Sequence, residues 1–468
     1  MLGVLGVLVR AQSATLTARR PTPPHPTLPD HAHPAERCRT ATPIVSRMDD
    51  ILEIADRLWR GETEIGSQHP LAMAGGLTEV ADRTAYVASF ARVSAFSTDD
   101  GLLLVDTGHE LAAKGIHGHI RDWDSGRLNT AVYSHGHVDH VFGVQVFEEE
   151  AAANGWALPV VIAHEALPAR FDRYKMTAGY NAIINQRQFQ VPRLEWPLEY
   201  RYPDKTYRDR LDVEVGGERF ELHHARGETD DHTWTYVPAR KVLCSGDLFI
   251  WCSPNAGNPQ KVQRYPLEWA KALREMLTLD VEILLPGHGF PVMGADRVRQ
   301  ALTDTAELLE SLVTQALELM NQGARLDDLI HTVQPPRALM NRPYLQPIYD
   351  EPEFIVRNIW RLYGGWYDGN PANLKPAQEG AVAREMAALA GGAGRLAERA
   401  LELLGAGDLR LAGHLAEMAT LADPTSAAAH DARAVVFAAR ATDATSTMAK
   451  GVFAWAASES RVQGSRPE

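Results

Sequence analysis

The stretch that decides the fold is Ser134-His-Gly-His-Val-Asp-His140, in which four possible metal ligands fall within six residues. It follows the apolar, strand-like residues 130–133 and precedes helix-like residues. Imidazoles and carboxylates are the ligands that divalent cations of the zinc type prefer. The spacing suits two ions, with His135 and His137 on one and Asp139 and His140 on the other. A histidine-rich surface loop is the alternative interpretation, and motifs further along the chain weigh against it.

Three later loops repeat this arrangement, because each places a possible ligand beside glycine after a short apolar run. Residues 226–232 contain Gly-Glu-Thr, residues 245–247 read Ser-Gly-Asp, and residues 286–289 begin Pro-Gly-His. Glycine at such positions permits backbone geometry that a side chain would block. Four such loops in this order favour a single metal site.

This order of motifs resembles that of the metallo-β-lactamase superfamily. Residues 340–347 and 365–371, with the helical region after them, resemble the alkyl sulfatase branch, including its dimerisation domain. The resemblance covers roughly residues 50 to 455. It implies an α/β fold, in which an αββα sandwich with a two-metal site on one edge is followed by an all-α helical domain. It also implies a homodimer.

The resemblance implies a set of metal ligands, residue by residue. The first ion would take His135, His137 and Glu228, the second would take Asp139, His140 and His288, and Asp247 would bridge both. Asp139 and Asp247 are also the predicted catalytic residues. Alkyl sulfatases resemble this chain in having glutamate at position 228, where most of the superfamily has histidine, but they usually bridge the ions with glutamate. The expected cofactors are two divalent ions, zinc first, with manganese or iron as alternatives.

The charges of this site bear on how it would hold a substrate. Two divalent cations, three carboxylates and a bridging hydroxide sum to about zero formal charge. Nearby basic groups must therefore help to hold an anion. The loop of residues 251–266 supplies such groups, and its predicted substrate-binding residues are Asn255, Asn258, Lys261 and Arg264. Ordinary solvated charges are the alternative interpretation of this loop.

Other polar residues receive supporting roles. Asp106 resembles the structural aspartate behind the metal loop, and His232 resembles a histidine that supports the site without being a primary ligand. Both are predicted to orient ligands from outside the first coordination shell. His223 and His224 could displace Glu228 as ligands, although they lie on a predicted strand rather than in the loop.

Composition limits the classes of function. The 468-residue chain has a formal net charge of −13 and no clustered basic patch, so nucleic acid is not expected as a partner. No apolar run approaches the roughly 18 residues that a membrane helix needs. The three cysteines, Cys38, Cys244 and Cys252, offer no disulfide framework. This favours a cytoplasmic location, although the short apolar run of residues 3–9 leaves export open.

We divide the chain into four parts. Residues 1–47 are rich in proline and arginine and are predicted to be a disordered extension. The catalytic sandwich is predicted over residues 48–325, a connecting segment over 326–375, and the helical dimerisation domain over 376–460. Residues 170–190 are predicted to form either a lid over the metal cleft or a helix that packs on the sandwich.

These features together predict a dinuclear metal-dependent hydrolase with a small, anionic ester substrate. A sulfate ester, cleaved with a metal-activated water, is the first expectation. A lactone, thioester or phosphodiester is the alternative for the same fold. A di-iron redox protein is a further alternative, because carboxylate-rich sites of this fold can hold iron.

Overall fold

The structure is a computed structural model that describes residues 51–72 and 75–464. The predicted disordered extension, residues 1–47, and the possible export segment lie outside the described residues. Within them, two β-sheets are present, and helices pack on both.

The first sheet has seven strands, which lie side by side in the order of the sequence. They are β1 (Leu77–Ala81), β2 (Thr84–Val87), β3 (Val93–Thr98), β4 (Gly101–Val105), β5 (Leu128–Val132), β6 (Val160–His164) and β7 (Lys205–Tyr207). Strands β1 to β4 pair antiparallel, with a tight turn at Asp99 and Asp100 between β3 and β4. Strands β4 to β7 pair in parallel. The carboxyl ends of β4 and β5 therefore meet at one edge, where sheets of this type place their binding loops.

The second sheet has six strands in the order β13-β12-β11-β10-β9-β8. They are β8 (Arg210–Val215), β9 (Glu218–His224), β10 (Thr233–Val237), β11 (Val242–Ile250), β12 (Ile283–His288) and β13 (Val292–Met293). Strands β11 and β12 are parallel, and the other neighbours are antiparallel. All nine residues of β11 are buried, as expected for a strand that is covered on both faces.

The two sheets share one apolar core. Phe96 and Val132 of the first sheet belong to the same buried cluster as Phe220, Val242 and Leu285 of the second. Each of these side chains is at most 1% exposed. Burial of apolar surface contributes roughly 25 cal/mol per Å², which is the main force that holds the sheets together.

Helices pack on the outer face of each sheet and complete the sandwich. They are α1 (Ile51–Trp59), α2 (Ala113–Trp123), α3 (Val144–Asn154), α4 (Leu167–Met176), α5 (Ala178–Phe189), α6 (Pro266–Met276) and α7 (Ala295–Asn321). Ile116 of α2 and Phe147 of α3 share a core with the first sheet. Trp269 of α6 and Leu309 of α7 share a core with the second. The predicted αββα architecture is confirmed.

The inserted residues 170–190 form parts of α4 and α5. Phe171 and Tyr174 of α4 are buried in the core of the first sheet. This agrees with the alternative in which the segment packs on the sandwich as a helix. On α5, Gln188 Nε2 lies 3.2 Å from the hydroxyl oxygen of Tyr349. The insertion thus packs on the sandwich through α4, while α5 contacts the segment before the helical region.

The rest of the described chain is helical. Its helices are α8 (Leu326–Thr332), α9 (Pro352–Gly364), α10 (Pro371–Leu374), α11 (Glu379–Ala390), α12 (Ala393–Gly405), α13 (Leu409–Ala422), α14 (Ala427–Asp443) and α15 (Thr447–Gly464). The Asp408 side chain accepts a hydrogen bond from the backbone N–H of Leu411 at the start of α13, as its position predicts. Gln190 Nε2 donates to the carbonyl of Gly451 over 2.7 Å, so α15 docks on α5. No helix among the described residues is both long enough and apolar enough to cross a membrane.

Candidate metal centre

Two loops and two strands deliver polar side chains to one edge of the sandwich. Residues 134–140 follow β5, and residues 226–232 connect β9 to β10. Asp247 lies within β11, and His288 ends β12. Because β11 and β12 are parallel neighbours, their polar residues reach the same edge as the loop after β5. A side chain at Gly287 would collide with the Asp247 carboxylate, which explains the glycine in Pro-Gly-His.

The first group of possible ligands is His135, His137, Glu228 and Asp247, whose ligand atoms all lie within 4.8 Å of one another. His135 Nε2 is 2.7 Å from His137 Nδ1. Glu228 Oε2 lies 3.5 Å from His135 Nε2 and 3.6 Å from His137 Nδ1. Three nitrogen and oxygen donors thus surround one small volume.

The second group is Asp139, His140 and His288, which meets the same 4.8 Å limit. Asp139 Oδ2 lies 3.7 Å from His140 Nε2 and 3.4 Å from His288 Nε2. Two imidazoles therefore face one carboxylate oxygen across a space that a cation would fill.

Asp247 lies between the two groups. Its Oδ1 is 3.6 Å from His140 Nε2, and its Oδ2 is 3.4 Å from His288 Nε2 and 3.8 Å from His135 Nε2. The structure therefore brings together the seven predicted ligands, and Asp247 contacts members of both groups as a bridging residue would.

Three of the ligand imidazoles are oriented by contacts with their Nδ1 atoms. Nδ1 of His140 is 2.7 Å from Asp106 Oδ2, Nδ1 of His135 is 2.9 Å from the Ser134 hydroxyl, and Nδ1 of His288 is 2.8 Å from a backbone carbonyl. These contacts leave each Nε2 facing the centre, the usual arrangement of metal-binding histidines. Buried His140 Nε2, Glu228 Oε2 and Asp247 Oδ1 have no hydrogen-bond partner among the described residues. The donor set therefore fits cations.

Burial and neighbouring charges shift the pKa values of these groups. Burial raises the pKa of Glu228 to about 8, and Arg264 opposes that shift. Burial also lowers the pKa of His135 well below its usual value, and the nearby imidazole of His140 adds to the effect. Burial alone would raise the pKa of Asp247, but His288 and His140 hold it well below the usual range. Metal ligands bind in deprotonated form, so bound cations would favour the ionised carboxylate of Glu228.

The two predicted supporting residues contact the ligands. Asp106 accepts hydrogen bonds from the backbone N–H and the hydroxyl of Ser134 in addition to its contact with His140. His232 Nε2 accepts the backbone N–H of Asp247 over 3.1 Å. Its ring stacks on that of His135, with the centroids 4.9 Å apart. Both residues therefore contact proposed ligands, and their orienting role stays a prediction.

The loop of residues 251–266 contacts Glu228 through two of its predicted substrate-binding residues. Asn255 Nδ2 donates to Glu228 Oε1, and Arg264 Nη1 donates to the Glu228 carbonyl. Arg264 is 1% exposed. Asn255 and Arg264 therefore hold the proposed metal ligand Glu228 in place, a role that the sequence did not predict. The half-buried Lys261 instead donates to Asn185 Oδ1 on α5, over 3.2 Å.

The fourth predicted substrate-binding residue is Asn258, and the alternative metal ligands are His223 and His224. Asn258 is buried, and its Nδ2 has no hydrogen-bond partner among the described residues. The ring of His224 stacks on that of His164 at 3.6 Å, and the ring of His223 stacks on that of Trp234 at 3.9 Å. Neither His223 nor His224 joins the two ligand groups.

A buried ion pair that supports the metal loop was missed at the sequence level. Asp231 accepts the backbone N–H of Gly136 at 2.9 Å through one oxygen and pairs with Arg170 Nε at 2.8 Å through the other. Arg170 also pairs with Asp230. The adjacent carboxylates after Thr229 were the available signal, because two buried or half-buried acids need a cation nearby.

Comparisons with known proteins agree with this geometry. A model of the metallo-beta-lactamase superfamily matches residues 88–288, which include all the metal loops. A model described as alkyl sulfatase dimerisation matches residues 325–463. The second match spans both the predicted connecting segment and the predicted helical domain, whose bounds stay predictions.

Curated relatives carry related names. A linear primary-alkylsulfatase of a Pseudomonas species is 27% identical over 362 residues, which are 72% of this chain and 68% of the relative. An (R)-specific secondary-alkylsulfatase of Pseudomonas is 27% identical over 400 residues, which are 79% of this chain and 59% of the relative. The chain thus spans between 59% and 68% of the length of these relatives.

A solved structure shows the same fold. The stereoselective inverting sec-alkylsulfatase of a Pseudomonas species superposes with a TM-score of 0.76 at 24% identity. The match covers 83% of this chain and 66% of that structure. The fold, the ligand loops and the two model matches thus make the chain similar to the metallo-beta-lactamase superfamily over residues 88–288 and to alkyl sulfatase dimerisation regions over residues 325–463.

Proposed function

We propose that this chain is a dinuclear metal-dependent hydrolase of sulfate esters. The observation that carries the proposal is the convergence of seven imidazole and carboxylate side chains in two groups, with Asp247 between them. The alkylsulfatase names of relatives that match over 72% and 79% of the chain support sulfate esters as the substrate class.

The proposed ligand set divides between two ions. His135, His137 and Glu228 would hold one, Asp139, His140 and His288 would hold the other, and Asp247 would contact both. Mixed nitrogen and oxygen donors suit zinc first, with manganese or iron as alternatives. When bound, such ions acidify water and stabilise negative charge on an ester oxygen.

Residues around the ligands would bind and orient the ester. Lys261 offers a positive charge, and the buried amide of Asn258 offers a donor that no described residue uses. Asn255 and Arg264 would act by fixing Glu228, because both donate hydrogen bonds to that residue. In a partly dehydrated pocket such fixed donors stabilise an anion more strongly than they would in water.

A substrate panel on protein of known metal content tests the proposal. A sulfate ester, a lactone, a thioester and a phosphodiester are compared, with Asp247→Ala as the metal-deficient control. We expect turnover of the sulfate ester by the parent and its near-complete loss in Asp247→Ala. Turnover of another ester class alone would reassign the substrate, and bound iron with visible absorbance would favour the redox alternative.

We further propose that the chain forms a homodimer through an apolar face of α11. Val382, Met386 and Leu389 recur at the helical spacing that places side chains on one face, and they are 44%, 41% and 84% exposed. Exposed apolar patches mark interaction sites. This helix lies within the residues matched by the dimerisation model, which supports a second copy of the chain as the occupant.

A cytoplasmic location is proposed from the two described cysteines. Cys244 and Cys252 are buried free thiols, and unpaired cysteines suit a reducing compartment. Fractionation of producing cells beside a cytoplasmic marker enzyme tests this; recovery of the protein outside the cytoplasmic fraction would contradict it.

A further inference from the structure

A second cleft lies at the junction between the sandwich and the helical region. Residues 257–259, α9 and the C-terminal helices enclose about 780 Å³ there, which is within the range of small-molecule sites. Its walls include Phe354, Phe453 and four arginines, Arg357, Arg361, Arg410 and Arg440. The cleft therefore combines aromatic surface with four arginines, against the three carboxylates of Glu351, Glu353 and Asp443.

The arginines are only partly neutralised. Glu353 pairs with Arg410 at 2.6 Å and with Arg357 at 3.6 Å. The guanidinium of Arg361 donates to neutral amide oxygens. Among the described residues, no carboxylate pairs with Arg361 or Arg440 within 4 Å. The other two acids of the cleft wall, Glu351 and Asp443, form no ion pair with either arginine among the described residues.

Arg440 is held in the wall by its surroundings. Its guanidinium carbon lies 4.2 Å from the ring centroid of Phe453. A side chain at Gly413, inside α13, would collide with Arg440 Nη1. The guanidinium therefore packs against α13 at this glycine.

Arg440 lies near a second cation, Arg410, whose own partner is Glu353. Burial lowers the pKa of Arg440, and the neighbouring Arg410 adds to that effect, whereas Glu353 opposes it. An anion bound between these groups would relieve the repulsion. The planar guanidinium offers paired N–H donors that match a sulfonate, sulfate or carboxylate.

We propose that this cleft binds a small organic anion, with its charged group on Arg440 and its apolar body against Phe354 and Phe453. Arg361 supplies a further cation of the wall, with which no carboxylate of the described residues pairs. None of the proposed metal ligands lines the cleft, and its binding of an anion does not depend on the proposed reaction, although Asn258, a proposed ester-binding residue, lies in its wall. Residues 257–259 line the cleft, whereas Asn255 of the same loop contacts Glu228.

Calorimetric titration of the full, metal-loaded chain with 1-hexanesulfonate tests the proposal, because this anion has no ester bond to hydrolyse. We expect the parent to bind it and Arg440→Gln to bind it at least about tenfold more weakly. Inorganic sulfate is expected to bind more weakly than hexanesulfonate, because it lacks the apolar body. Arg395→Gln removes an exposed arginine on α12, outside the cleft, and should keep the parental affinity.

A variant of the metal centre separates the two sites. Asp139→Asn should keep its affinity for hexanesulfonate, because Asp139 does not line the cleft. The proposal would be overturned if the parent did not bind the anion, if Arg440→Gln matched the parent, or if binding were lost only in Asp139→Asn. Circular dichroism checks the fold of Arg440→Gln. If Arg440→Gln does not fold, Arg361→Gln, at an exposed position, is compared with the parent instead.

Discussion

Oδ2 of Asp106 lies 2.7 Å from Nδ1 of His140. Asp106 has a backbone φ of 61°, a left-handed conformation that asparagine also tolerates. Asp106→Asn should therefore keep the backbone while it removes the charge that orients His140. We expect metal affinity to fall by about 10- to 100-fold, measured by competition with a chelator of known affinity.

The control for that experiment is Asp82→Asn at an exposed position, which should bind metal like the parent. Parental affinity in Asp106→Asn would show that the carboxylate does not orient His140.

The ion pair of Arg170 with Asp231 is expected to stabilise the metal loop. Both residues are buried, so Arg170→Gln leaves an uncompensated carboxylate that also holds Gly136. Breaking a buried pair in this way costs about 3–5 kcal/mol. Urea unfolding should show a loss of that size, together with weaker metal binding. Arg193→Gln, at an exposed position, should change stability by less than about 0.5 kcal/mol, and equal stability of the two variants would disprove the role of the pair.

Lys261 should make substrate binding depend on pH. Burial, with the nearby Arg264, lowers the pKa of Lys261 to about 7. Its ammonium is therefore present below pH 7 and is lost as the pH rises through 7. We expect KM for an anionic ester to rise about tenfold between pH 6 and pH 8.

Two variants isolate this effect. Lys261→Arg stays charged over the whole range and should flatten the profile, whereas Lys261→Gln should have a high KM at both pH values. If the rise in KM persisted in Lys261→Gln, another group would be responsible.

The exposed face of α11 should hold the proposed dimer together. A carboxylate at its centre would have to be buried without a partner, so Leu389→Glu should shift the chain to monomers in light scattering coupled to size-exclusion chromatography. Leu158→Glu, which replaces a 56% exposed leucine of the sandwich domain, is the matched control and should leave the dimer intact. A parent that is monomeric at micromolar concentration would contradict the proposal.

The resemblance implied the sandwich and the ligand set, and the motifs that carry the resemblance are local in the sequence. Each loop couples a short apolar run to glycine and a ligand-type residue, and parallel strands bring such loops to one edge. The turn at Asp99 and Asp100 and the cap at Asp408 are local signals of the same kind.

The contacts around the ligands could not be predicted, because they join residues that are far apart in the sequence. Asn255 and Arg264 have the composition of an anion-binding loop, but in the structure they donate to Glu228. Arg170 is separated by 61 residues from Asp231. No periodicity or spacing links such pairs, and only the packing of α4 against the loop brings Arg170 and Asp231 together.

The central claim is that the chain holds two metal ions with Asp247 between them. Elemental mass analysis of purified parent and Asp247→Ala protein tests it most directly. The account predicts two divalent ions per parent chain and at most one per Asp247→Ala chain. One ion or none in the parent, or two ions retained without Asp247, would contradict it.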